Sequence, residues 1–149
     1  MTRPRDERGS IAPAVPVIAM VLLLLGGLGI DGSRQLNARG EAVAFAEEAA
    51  RAGAQGVDLA ASDLRLDEGQ ARQRVQTYCD RIVALSQVES CRFVRFEPVS
   101  DQDPRELVVV TQVRLKIKAS LLGIVGVSSL SASSYAKARP YEGIRTAGQ

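Results

Sequence analysis

The run from Ile11 to Ile30, IAPAVPVIAMVLLLLGGLGI, is 20 residues long and carries no charged side chain. At 1.5 Å rise per residue a helix of that length covers about 30 Å, the thickness of the hydrocarbon layer of a bilayer. A helix that is apolar all round needs either a large core or a membrane around it, and a chain of 149 residues offers little core in which to hide one. The run therefore reads as a transmembrane helix. Pro13 falls at its start, where the first N–H groups lack intrahelical partners anyway, and Pro16 is expected to bend the helix slightly. A removable secretory signal would have an apolar core of about 7–15 residues and a small-x-small cleavage site. The following LGGLGIDGS offers only a poor version of one. Arg3, Arg5 and Arg8 precede the run and place the N-terminus in the cytoplasm, with Arg34 and Arg39 blunting the contrast. The expected organisation is a basic cytoplasmic leader over 1–10, a membrane helix over 11–30 and an extracytoplasmic domain over 31–149.

Gly27, Gly29 and Gly32 fall into the spacing G-x-G-x-x-G. A dinucleotide loop needs a strand before it, and a membrane helix precedes this one, so the match is accidental. Small residues at the outer end of such a helix instead permit close approach of another helix. Histidine is absent, which removes the commonest general base and metal ligand. A net charge of +2, 4% aromatic residues and no Trp give nucleic acid neither a basic patch nor a stacking platform. Neither a G-x-S-x-G elbow nor a phosphate loop occurs. Asp63, Asp67 and Glu68 lack the alternating oxygen ligands and central Gly of a calcium loop, so capping and solvation explain them. No catalytic, cofactor-binding or metal residue is assigned, no small-molecule substrate is expected, and the chain reads as a non-enzyme.

Helical residues continue from Asp31 to about Gln55, with Gly53 and Gly56 marking the end. Ala38, Ala42, Ala46, Ala50 and Ala54 recur every four positions. Such a row forms a smooth ridge on which a sheet or second helix can pack, although alanine also serves as plain helix filler. VDLAASDLRLDEG reads as a connector or a short irregular helix. Asp67 looks like an N-cap with Gln70 completing a capping box, so that a second helix runs from Glu68 to about Ser86 with Val75, Ile82 and Leu85 inward. CRFVRFEPV reads as a strand and SDQDPRE as a turn. In LVVVTQVRLKIKA, Leu107, Val109, Val113, Leu115 and Ile117 alternate with Gln112, Arg114, Lys116 and Lys118, the signature of a half-buried antiparallel strand. A last strand carries Leu130, Ala132, Ala136 and Ala138 on one face. The predicted fold is α+β, in which a membrane helix continues outward and packs with a second helix on about three antiparallel strands. SLLGIVGV is apolar where turns are usually polar, and suits the core, a membrane surface or a neighbouring subunit. Cys79 and Cys91, an even pair beyond the membrane run, suggest a disulfide; two buried free thiols are the alternative.

Three stretches resemble the TadE/TadG-like proteins of tight-adherence (Flp-type) pilus assembly: RDERGSIAPAV, LGIDGSRQLNARGEAVAFAEEAARAGAQ with its Asp-x-x-Arg exit from the membrane, and VRLKIKASLLGIVGVSSLSASSYAKARP. The resemblance implies a pilin-like fold and a pseudopilin role. Partners would be other pilin or pseudopilin subunits, a membrane assembly platform, a prepilin peptidase and the lipid bilayer. In processed relatives the peptidase cuts after a glycine, here Gly9, leaving Ser10 as the new N-terminus. Those relatives carry Glu at the fifth mature position, and this chain has Ala14. Intramembrane carboxylates are costly and functional, so Ala14 fits an anchored, uncleaved chain, while the basic leader fits a cleaved one. Both versions stay open on the sequence, as does an anchored binding module unrelated to pili.

Overall fold

A helix begins where the prolines allow it. In the computed structural model, which describes residues 13–58, 65–85, 87–100 and 103–141, Pro13 stands at the N-cap and α1 runs unbroken over Ala14–Ala54. Pro16 costs nothing in the first turn, where its missing N–H has no helical acceptor. The N-terminal part of α1 is long and apolar enough to cross a membrane, its most apolar window having a mean hydropathy of 2.2. At the other end two glycines admit close neighbours. A Cβ on Gly53 would lie 2.7 Å from Val75, and one on Gly56 would lie 2.5 Å from the backbone nitrogen of Ala71. The second contact is with main chain, which cannot swing aside.

The connector is more ordered at its ends than its composition suggested. β1 (Val57–Asp58) pairs antiparallel with β2 (Arg65–Leu66), Val57 opposite Leu66. The Gly56 carbonyl accepts from the Asp67 N–H at 2.9 Å, delivering the chain to the start of α2 (Glu68–Val83). Asp67 caps that helix as expected: its Oδ1 accepts from the Gln70 N–H at 3.0 Å. The Gln70 side chain donates to Asp67 Oδ2 rather than to the Asp67 backbone, so the box closes between side chains. Val75 and Ile82 are buried, together with Ala71 and Cys79. Leu85 is a correction to the sequence reading: α2 ends two residues earlier, and Leu85 is 49% exposed beyond the last turn.

β3 (Val88–Ser100), β4 (Asp103–Lys118) and β5 (Ser129–Ala138) form one antiparallel sheet in that order, so the apolar-alternating strand lies in the centre. Register shifts at three places in β3 accommodate its pairing with β4. Val109, Val113 and Leu115 are buried, Leu107 and Ile117 partly so, while Arg114, Lys116 and Lys118 face solvent, as the alternation predicted. Gln112 departs from it, being buried although on the polar face. Arg92 on β3 lies opposite it and donates to Gln112 Oε1 through Nε at 3.0 Å and Nη2 at 2.6 Å. Val110, buried on the same face, stands between Arg95 and Lys137, which both pair with Glu97. Cross-strand polar chains thus roof the outer side of the sheet, and α1 covers the inner side.

Candidate functional site: two faces of one helix

Past the apolar run, α1 turns its alanines onto the sheet. Ala38, Ala42, Ala46, Ala50 and Ala54 are all buried, the first four in one cluster with Ile82, Val88, Val113, Leu115, Ala132 and Ala136. Only a methyl group fits between a helix backbone and a sheet at such short range. Thr111 marks how close the two lie: its hydroxyl donates to the Ala46 carbonyl at 2.8 Å, wholly buried. α2 is held to α1 by the Tyr78 hydroxyl, which donates to Glu48 Oε2 at 2.6 Å; burial, then Glu48, pushes the Tyr78 pKa far up. A Cys79–Cys91 disulfide, with Cα atoms 5.2 Å apart, fastens α2 to β3.

The other half of α1 is bare. Val17, Ile18, Met20, Leu22, Leu23, Leu25 and Leu28 are all exposed, and Leu23 keeps 74% of its surface. Eleven large apolar side chains lie uncovered between Val15 and Ile30, far more than a water-soluble surface tolerates in one patch.

Between the halves lies a junction built on Asp31. This carboxylate has no exposed surface, and it is satisfied from across the fold. Oδ1 accepts from the Ser120 N–H at 2.9 Å, and Oδ2 from the N–H groups of Leu121 and Leu122 at 2.9 and 2.7 Å. These donors open a 3₁₀ turn, Leu122–Val125, so a residue of α1 caps a helical turn some ninety positions later. The bonds from Leu122 and Ser120 hold the Asp31 carboxyl below the usual carboxylate range against the opposing effect of burial, with Leu121 and Arg34 adding to them. Arg34 also donates to the Ser120 hydroxyl, and Gln35 Nε2 to the Ser131 carbonyl at 2.7 Å. One turn earlier, Gly27 lies under Leu121: a Cβ there would stand 2.7 Å from the Leu121 Cβ. The glycine at the end of the apolar run thus receives the chain's own loop, whereas Gly26, Gly29 and Gly32 have open space at the Cβ position.

Sequence reasoning took Asp31 and Arg34 together as the Asp-x-x-Arg exit and noted the apolar SLLGIVGV separately, but did not join the two. The available signal was a lone acidic residue just beyond an apolar run, together with a distant apolar turn short of polar partners. Gly9 and Ser10 lie outside the described residues, as does Asp63. Asp67 is used as a cap, and Glu68 pairs with Arg72. Among the described residues no group of three or more His, Cys, Asp or Glu side chains is placed to hold a metal ion.

A family model, Tad, described as "Putative Flp pilus-assembly TadE/G-like", matches residues 9–56. The amino-terminal third of the chain is thus similar to TadE/G-like proteins. The match runs from Gly9 through the bare half of α1, Asp31 and the alanine ridge to Gly56, and supports involvement in Flp-type pilus assembly. It stops short of α2, the disulfide and the sheet, and leaves out the 120–122 loop that completes the Asp31 junction. No curated protein and no solved structure matches the chain.

Proposed function

We propose that the chain is a membrane-anchored pilin-like subunit, a pseudopilin, taking part in assembly of a tight-adherence type pilus or a related secretion fibre. The observation that carries this reading is the division of α1: a bare aliphatic half and a half buried by the chain's own sheet, within a TadE/G-like segment. In this reading residues 1–10 stay in the cytoplasm, 11–30 cross the bilayer and 31–149 form the extracytoplasmic domain, where an oxidising compartment supports the disulfide. The alanine ridge organises the subunit internally, which leaves the bare half of α1 for lipid and for the helices of other pilin or pseudopilin subunits and of a membrane assembly platform.

The test uses the full chain in cells that assemble the fibre. A photo-crosslinking residue at Leu23 is expected to give adducts with other pilin-system membrane proteins, and protease added outside is expected to remove the domain but not the leader. An anchored protein whose Leu23 position crosslinks only lipid would favour a binding module unrelated to pili. Release of a folded domain cut near residue 30 would make the run a signal and end the proposal. N-terminal sequencing separates the two classes of relative: a free Ser10 marks a subunit processed by prepilin peptidase, an intact N-terminus an anchored one.

A further inference from the structure

The turn between β4 and β5 breaks the usual rule that exposed turns are polar. Leu121, Leu122, Ile124 and Val127 lie within it, and Ile124 is 77% exposed, the most exposed large aliphatic side chain among the described residues. We propose that this turn is a second membrane contact, resting in the interfacial layer of the bilayer beside the point where α1 leaves it; the proposal rests on α1 crossing the membrane.

Three observations assign lipid, rather than another protein, as the occupant. The first is depth. Leu121 is seated on Gly27, three residues inside the apolar run, or about 4.5 Å before its end at 1.5 Å per residue. A turn fixed at that height reaches the headgroup boundary without any further movement, at the level where Leu28 and Ile30 of the helix are also exposed. The second is backbone satisfaction. Asp31 takes the N–H groups of Ser120, Leu121 and Leu122, while those of Ile124, Gly126 and Val127 go to the carbonyls of Leu121, Gly123 and Leu122. Irregular backbone enters a water-poor layer at least cost when its polar groups are paired internally, and these six N–H groups are so paired. Gly126, at φ 91°, supplies the left-handed residue that closes the turn. The third is charge. Arg34, Lys116 and Lys118 line a groove on the water side of the turn with Glu41 the single carboxylate among its lining residues, placing cations at headgroup level.

The chain has no Trp, so each single Trp introduced into it is an unambiguous reporter. Three full-length variants, Ile124→Trp, Leu23→Trp and Tyr141→Trp, are reconstituted into phosphatidylcholine–phosphatidylglycerol vesicles containing lipids brominated near the headgroup or deep in the acyl chain. Tyr141 is 76% exposed beside Ala54 at the far end of α1 and serves as the aqueous control. The expected result is strong quenching of Ile124→Trp by shallow bromine with a blue-shifted emission, quenching of Leu23→Trp by deep bromine, and none for Tyr141→Trp. Quenching of Leu23→Trp with a solvent-like, unquenched Ile124→Trp overturns the turn contact and leaves the membrane span standing. Loss of quenching at both positions removes the span and the proposal together. A blue shift at Ile124→Trp that disappears as the protein is diluted in lipid means that a second copy covers the turn, and overturns the proposal as well.

Discussion

The two halves of α1 share a backbone and differ in what their side chains demand. Residues 14–30 carry mostly Val, Ile, Leu and Met side chains, large and uncovered; residues 38–54 include five alanines in register, small and enclosed. Helix formation is cheap in both halves, so the division is one of tertiary role. Large aliphatic side chains suit a fluid apolar medium that adapts to them. A row of methyl groups suits a fixed partner at close range, because the packed interior tolerates neither voids nor added methylenes.

Five variants and one titration test that division, all on the full chain in detergent micelles unless stated. The largest effect is expected from the disulfide that binds together what the alanine half packs against. Replacing both Cys79 and Cys91 by Ala should cost about 3 kcal/mol in the chain-entropy description of a short loop, read as a lowered denaturation midpoint. Ala46→Leu should cost about 2 kcal/mol through overpacking, with helix content preserved because Leu propagates a helix nearly as well as Ala. If Ala46→Leu leaves the midpoint unchanged, the ridge is not the packing surface described. Thr111→Val removes the buried hydroxyl bond to Ala46 and should cost about 1 kcal/mol. Leu23→Ala, in the bare half, should move domain stability by less than about 0.5 kcal/mol while weakening membrane retention or crosslinking. A comparable loss of domain stability would mean that the two halves are not separate in role.

The smallest global effect is the pH response of the junction. Asp31 has a depressed carboxyl pKa in the folded state, so its contribution is fully present above the ordinary carboxylate value near 4 and is lost as pH falls through the lower folded value. Protection of the Ser120, Leu121 and Leu122 amides, taken relative to their intrinsic exchange rates, should therefore fall in acid below about pH 4, and Asp31→Asn should lower it at neutral pH. Protection that stays constant through that acid range would remove the carboxylate as the anchor of the turn.

Much of this arrangement is readable from residue order because it repeats. The apolar run declares itself by length, the ridge by a period of four and β4 by a period of two. What escaped lies where a residue's partner is distant in sequence or on another strand. Gln112 looked like a solvent position, because nothing in its own strand reveals that Arg92 lies across from it. Leu85 looked like a core position, because a helical stripe does not announce its last turn. Asp31 binds a loop 89 to 91 residues away, and no local pattern encodes so remote a bond. Gly27 was visible as a small residue, but whether a second helix or the chain's own loop would fill the space above it depended on topology.

An unbroken α1 also has a mechanical meaning. No kink or hinge separates Ile30 from Ala38, so every residue added or removed there rotates the alanine face by about 100° against the bare half. One inserted residue would leave both surfaces chemically intact and point them in incompatible directions, with Asp31 and Gly27 pulled out of phase with the turn they hold. The helix is therefore a shaft as well as an anchor: whatever grips residues 14–30 also sets the compass heading of the sheet, and a twist applied at one end arrives at the other.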